Sequence, residues 1–220
     1  MIDFPEQFIL MVSGPLGTGK NEFCLNMANI DLKKGKKVVY ITTDLTPKLI
    51  YSKLNDFGLD NELENLYFFD GSIWNMKDRA KWLSEKKVKL IDISASNPNI
   101  MFEKVETGLS VLGSNLKIIF DSLSSFLFRN ELDPAIKTFN RLVNRCRREH
   151  DFLVFTLHED LHPPHIFKEA ENFADGEIKM RFLEDEDGLK RQIMIAFLRG
   201  LYYDSEWRDI SMESGFLEIL

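Results

Sequence analysis

The sequence predicts an α/β domain: a mainly parallel central sheet with helices on both faces and an antiparallel extension at its C-terminal end. Three observations carry this expectation. Short apolar runs alternate with amphipathic stretches as far as residue 157, the pattern of parallel strands joined by crossover helices. The first apolar run ends in a glycine-rich turn that leads straight into a helical pattern. Beyond residue 175 the style changes to strand-length segments separated by acidic turns, which fits antiparallel strands added to a parallel sheet.

Taken in order, Phe8 to Ser13 is the first apolar strand, and Asn21 to Leu32 carries Phe23, Cys24, Met27, Ala28 and Ile30 at helical spacing. Lys37 to Thr42 is the second strand. Pro47 to Phe57 is a helix begun at Thr46, with proline at the first helical position, where no N–H is needed, and Gly58 as its stop. Tyr67 to Phe69 is a short third strand, Met76 to Glu85 a helix and Lys89 to Ser94 a further strand. Phe102 to Leu112 is a helix ended by Gly113, and the apolar strand Lys117 to Phe120 stops at Asp121. Pro134 to His150 is a long amphipathic helix whose inner stripe is Ile136, Phe139, Leu142, Val143 and Cys146, followed by the strand Phe152 to Leu157. The tail holds three strands, Gly176 to Leu183, Gln192 to Phe197 and Phe216 to Leu220. The acidic turn Glu184, Asp185, Glu186, Asp187, Gly188 separates the first two. Polar or proline-bearing loops are expected at Gly71 to Asn75, Ser94 to Ile100 and Glu159 to Lys168.

The 220 residues show no repeat and no low-complexity linker, so residues 1–220 are expected to form one domain. Hydrophobic residues at 44% and charged residues at 29% exclude a disordered, collagen-like or disulfide-scaffold chain. The longest apolar stretches, Phe8 to Val12 and Val38 to Ile41, fall far short of the ~20 residues that cross a bilayer. Met1 to Gln7 holds two acids and no base, unlike a signal peptide, so a cytoplasmic location is expected. Cys24 and Cys146 offer no disulfide framework and no CxxC pair, and are expected to be small buried hydrophobes. A net charge of -7 disfavours nucleic acid as a partner. Two basic groups, Lys33, Lys34, Lys36 and Lys37, and Arg141, Arg145 and Arg148 on one helical face, lack interleaved stacking aromatics and are expected to be solvated surface.

Gly14, Pro15, Leu16, Gly17, Thr18, Gly19 and Lys20 match G-x-x-x-x-G-K between an expected strand and an expected helix. Glycines there let successive N–H groups turn inward as an anion nest, the helix N-terminus adds its positive end, and Lys20 reaches the β- and γ-phosphates of a nucleotide. The next position is Asn21, where the motif places a Ser or Thr hydroxyl on Mg²⁺, so ATP binding with rearranged or weakened metal binding is expected. Ile118, Ile119, Phe120 and Asp121 deliver a carboxylate at the C-terminal end of a strand, where open α/β sheets bind ligands. Together with the glycine-rich loop, that makes Asp121 the second expected metal-holding residue. Ser122, Ser124 and Ser125 follow as loop hydrogen-bonders or catalytic hydroxyls.

With these motifs the chain resembles the KaiC/RadA-like branch of the RecA superfamily, in particular single-domain KaiC-like ATPases. Gly14 to Lys20 is similar to that family's GxPGTGK loop, Tyr40 to Pro47 to its second strand and Thr/Ser-Pro turn, and Ile118 to Ser125 to its Walker-B strand. Phe173 to Leu183 resembles the segment in which Ala-Asp-Gly leads into a strand, and Phe197, Leu198, Arg199 and Gly200 resemble its KMRG element. The resemblance implies a RecA-like P-loop fold, ATP and Mg²⁺ as ligands, homo-oligomeric assembly with a hexameric ring as one form, Asp44 as the water-polarising acid and Arg199 as a contact to the neighbour's γ-phosphate. A solvated turn acid is the other reading of Asp44.

Three positions depart from the family pattern. Asn21 replaces the metal hydroxyl, Leu45 stands where a second acid follows the first, and Phe197 stands in the lysine place, leaving Arg199 as the only trans cation. The family's longer N-terminal segment with a Gly-Gly turn is also expected to be missing, because 13 residues precede Gly14. Asn21, Leu45 and Phe197 each remove a part that phosphoryl transfer uses, which leads to two expectations. One is a slow ATPase acting as a nucleotide-dependent regulatory or assembly factor, and the other an inactive ATP-binding scaffold whose bound state selects a protein partner. A RadA-paralogue-like single-strand DNA binder is allowed by fold and disfavoured by charge.

His158, Glu159, Asp160, His162 and His165 invite a zinc reading, but Pro163 and Pro164 break any helix that would align the imidazoles. The segment lies at the nucleotide edge of the sheet, so sensing of the γ-phosphate by His158 or Glu159 is the preferred functional reading. Tyr202, Tyr203 and Trp207 are expected to pack in the core or at a subunit boundary.

Overall fold

The computed structural model describes residues 4–59, 62–86, 88–186, 188–212 and 216–220. Met1 to Asp3 and Asp187 of the acidic turn lie outside the described residues.

The strands are β1 (Phe8–Gly14), β2 (Val38–Thr42), β3 (Leu66–Asp70), β4 (Lys89–Asp92), β5 (Lys117–Asp121), β6 (Phe152–His158), β7 (Gly176–Asp185), β8 (Gly188–Leu198), β9 (Arg208–Ser211) and β10 (Glu218–Ile219). The helices are α1 (Lys20–Lys33), α2 (Pro47–Asp56), α3 (Met76–Glu85), α4 (Pro98–Leu112), α5 (Leu123–Phe128), α6 (Leu132–Arg148) and α7 (Pro164–Phe173). One sheet joins all the strands in the order β10-β9-β8-β7-β1-β6-β5-β2-β3-β4. From β7 to β4 every neighbouring pair is parallel, and β8, β9 and β10 continue antiparallel from β7. The expected parallel sheet with a C-terminal antiparallel extension is therefore the observed one.

Alternate residues of each parallel strand enter different cores, because side chains of a strand point to opposite faces with period two. In β1, Ile9 and Met11 pack with α4, α5, α6 and α7, whereas Phe8, Leu10 and Val12 pack with α1, α2 and α3. Burial on both faces is why β1, β2, β5 and β6 are continuous apolar runs, without the alternation of a half-exposed strand. Cys24 and Cys146 are free and buried in these cores.

Several expectations need correction. The segment Glu159 to Lys168 is only partly loop: Pro164 opens α7, since a proline at the first helical position loses no hydrogen bond. Likewise Ser94 to Ile100 gives way to α4 at Pro98, with the Asn97 side chain accepting from the Ile100 N–H. Ser122 to Ser125 is a helix start, Ser122 capping the Ser125 N–H. β9 went unforeseen because its four residues, Arg-Asp-Ile-Ser, show no alternation a strand pattern can register. The final strand is shorter than expected, Glu218–Ile219.

Of the three arginines expected on a solvated face of α6, Arg141 and Arg148 are exposed and Arg145 is not. Arg145 is 3% exposed, ion-paired with the buried Asp151, and donates to the Gly113 carbonyl at 3.1 Å. Arg141 lies over the Phe102 ring, and Arg148 pairs with Glu149. Tyr202 is fully exposed, whereas Tyr203 packs on the α1-side core and Trp207 lies under the Arg181 guanidinium, 3.9 Å from its ring centre.

Candidate nucleotide site

β1 ends at Gly14 and α1 begins at Lys20, so the loop between them sits at the C-terminal edge of the parallel strands. Gly14 is required by close approach as well as by backbone angle: at φ 143° it faces the Met180 carbonyl, and a Cβ there would collide with backbone. Gly19 is required by its φ of 106°, and it faces the terminal methyl of Met212. The C-terminal strands therefore form one wall of the loop, and Arg191 of β8 ties it down by donating to the Gly17 carbonyl at 3.1 Å. Thr18 turns its hydroxyl onto the Pro15 carbonyl at 2.9 Å, while Leu16 projects outward.

Lys20 is buried, and its ammonium donates to the Gly14 and Pro15 carbonyls at 2.7 and 2.6 Å. Burial lowers its pKa from 10.5 to about 8, opposed by the charges of Asp121 and Glu159. A bound phosphate would hold the charged form, so in the complex this pKa rises. The sign follows: ATP affinity is flat below about pH 8 and falls above it, by up to about tenfold per pH unit, as the free protein loses the proton that binding must restore. Isothermal titration of ATP between pH 6.5 and 9.5 measures this slope, and Lys20→Arg, charged throughout, flattens it.

Asp121 at the end of β5 is 2% exposed and accepts three hydrogen bonds. Tyr40 and Asn21 donate to Oδ2 at 2.9 and 2.8 Å, and Thr156 donates to Oδ1 at 2.8 Å. Burial pushes its carboxyl above the usual carboxylate range; the Thr156 and Tyr40 hydrogen bonds and the Lys20 charge pull it down, and Asp44 pushes it up. The two expected metal-holding residues are thus in direct contact. With the Asn21 amide nitrogen turned to Asp121, its carbonyl oxygen faces away, and a carboxylate with an amide oxygen is the hard-oxygen donor chemistry that Mg²⁺ takes.

Tyr40 and Thr156 escaped sequence reasoning. Each is a hydroxyl inside a strand read as apolar, although Thr156 lies two residues from the end of β6, beside the strand that carries Asp121. The Asp121–Ser122 peptide is cis. The turn after β2 is pinned to that after β5 by Thr43, which donates to the Ser122 carbonyl at 2.7 Å and accepts from the Ser122 N–H at 3.1 Å. This brings Asp44, exposed, to the same edge, close enough for its charge to act on Asp121. Leu45 instead turns into the α1-side core.

His158 closes β6, level with Gly14, and its N–H donates to Ser124 Oγ at 2.8 Å. Its Nδ1 and the Nε2 of His162 are buried without hydrogen-bond partners. Burial, then the neighbouring Lys20 charge, lowers the His158 pKa to about 4, so the ring is neutral at physiological pH. His165 is exposed. Among the described residues no three His, Cys, Asp or Glu side chains converge as a metal cluster.

Arg199 is the expected site residue that the fold keeps away from this loop. Its N–H bonds to the Asp175 carbonyl, and the Asp175 N–H bonds to the Ile9 carbonyl. That places Arg199 level with the start of β1, about 16 Å from Gly14 along the strand direction at ~3.3 Å per residue and two strands to the side. The side chain is exposed, beside the half-buried Phe197 ring.

The sequence matches the family described as "ATPase: KaiC" over residues 3–219. No curated protein sequence matches it. Among solved structures, the KaiC-like protein PH0186 from the hyperthermophilic archaeon Pyrococcus horikoshii OT3 shares the fold, with a TM-score of 0.74 at 18% identity, covering 99% of this chain and 91% of that one.

Proposed function

The chain belongs to the KaiC ATPase family, and from that premise we propose that it binds ATP at Gly14 to Asn21 and turns it over slowly, as a nucleotide-dependent regulatory or assembly factor. The Asn21–Asp121 contact carries this reading. It keeps the metal-holding pair together while replacing the hydroxyl used in phosphoryl transfer by an amide. Mg²⁺ held there by Asp121 and Asn21 supplies charge neutralisation across the phosphates. Lys20 leaves the Gly14 and Pro15 carbonyls for the phosphates, Asp44 is the remaining acid for orienting water, and His158 with Glu159 stands beside the terminal phosphate.

Arg199, exposed at the opposite end of β1, supports a head-to-tail assembly in which it reaches a neighbour's nucleotide. In this reading the working form is a homo-oligomer, a hexameric ring among its options, built from one domain spanning residues 1–220. An inactive scaffold that selects a protein partner in its ATP state is the second reading, favoured by the turn of Leu45 into the core where a second acid would stand. Single-strand DNA binding, allowed by the fold, is disfavoured by the net charge of -7, and a cytoplasmic location is part of the proposed reading.

The test is gain of function. Asn21→Thr and Phe197→Lys, with Leu45→Glu as a third change, are expected to raise ATP turnover at least about tenfold, since one trans cation alone is worth ~10³ in related sites. Unchanged phosphate release from a folded triple variant contradicts the slow-ATPase reading. Leu45→Glu puts a charge against the core, so its stability is measured separately.

A further inference from the structure

A cleft of about 1280 Å³ lies on the α1 side of the sheet, between that helix and the C-terminal strands. Its apolar walls include Phe23 and Met27 of α1 facing Ile193 and Ile195 of β8. It is larger than the ~300–1,000 Å³ of common small-molecule pockets.

Lys117, the first residue of β5, lines the end of this cleft away from the glycine-rich loop. It is 9% exposed, and its ammonium stands 3.9 Å over the Phe152 ring. Among the described residues this ammonium has no hydrogen bond and no carboxylate within ion-pair distance, while the backbone N–H of Lys117 bonds to the Lys37 carbonyl. The ring face satisfies the charge but takes none of the three N–H donors. A side chain this buried, whose ammonium opens into the end of a largely apolar cleft with its donors unused, is suited to an anionic head group. Lys34 and Lys36 stand at the same mouth; Glu6 and Asp31 oppose them, Glu6 in an ion pair with Lys36 at 3.7 Å and Asp31 buried close to Lys117. Over the whole cleft Lys34, Lys36, Lys117 and Arg208 face Glu6, Asp31, Asp204, Glu206 and Glu218, so an anionic head is selected by the free donors of Lys117 and not by a net positive lining.

We propose that this cleft binds an amphipathic anion, its carboxylate or phosphate head on Lys117 and its aliphatic chain along Ile193 and Ile195. The site stands independently of the nucleotide reading.

The experiment titrates the full chain calorimetrically with dodecanoate, dodecyl phosphate, dodecylammonium and dodecyl maltoside, all below their micelle concentrations. The two anions are expected to bind about tenfold or more tightly than the maltoside, the fold-change that one charge-assisted hydrogen bond supplies, and dodecylammonium most weakly. Their relative affinities identify the preferred head. Lys117→Met brings the anions down to the maltoside level, and Asp31→Asn, removing the opposing acid, tightens them. ATP affinity unchanged in both variants shows that they fold. Binding indifferent to head group, no binding by any amphiphile, or anion binding that survives Lys117→Met overturns the proposal. So does self-association through the cleft that dodecanoate does not displace.

Discussion

Lys20→Ala is expected to lower ATP affinity by about 10²- to 10⁴-fold, since two charge-assisted hydrogen bonds at about 1.5–3 kcal/mol each are lost and 1.4 kcal/mol is a decade. The substitution spares the fold for a reason visible in the loop. The Gly14 carbonyl also accepts from the Glu159 N–H at 3.2 Å, and the Pro15 carbonyl from the Thr18 hydroxyl at 2.9 Å, so neither is orphaned when the ammonium leaves. Burying that ammonium is itself unfavourable, as its lowered pKa records. An unchanged melting temperature with that loss of ATP affinity is therefore the expected pair of results. Retained affinity shows that phosphate binds elsewhere.

Asp121→Asn is expected to separate stability from metal use. The carboxyl is pushed above its ordinary value by burial, so the folded state holds its proton more tightly than the unfolded chain does. Stability from this group is therefore present below the unfolded value of 3.8 and is lost as pH rises through the raised folded value, leaving the charged form a burden at neutral pH. Asparagine removes that burden and can still be satisfied. Its oxygen accepts from Tyr40, and its amide donates to the Thr156 hydroxyl, which reverses its role. The variant is expected to melt no lower than the parent. Its Mg²⁺-dependent gain in ATP affinity falls by about 10- to 100-fold or more, the scale at which lost support around a metal is felt. Thermal melts and ATP titrations with and without Mg²⁺ measure the two effects. A marked loss of stability contradicts the account of Asp121 as a functional group maintained against the fold's preference.

The parallel sheet was legible because burial on both faces writes β1, β2, β5 and β6 as continuous apolar runs, and the P-loop because its glycines stand between such a run and a helical stripe. Other parts were hidden for physical reasons. Pro163 and Pro164 read as breakers, yet proline suits the start of α7. Arg141, Arg145 and Arg148 share a helical face by spacing, but spacing does not show that Asp151, three residues past the helix, draws Arg145 inward. The second layer of the site, Tyr40, Thr156 and Ser124, is set by which strands lie side by side, which local sequence does not state. The distance of Arg199 from its own loop likewise follows from the antiparallel return of β8.

The most direct measurement is ATP affinity with and without Mg²⁺, together with phosphate release from the same sample, using Lys20→Ala as the blank. Binding that Mg²⁺ strengthens, with slow release abolished in Lys20→Ala, is the predicted result. ATP binding no tighter than in Lys20→Ala would contradict the account at its centre, and tight binding with no release above the blank would leave the scaffold reading in place of the slow ATPase.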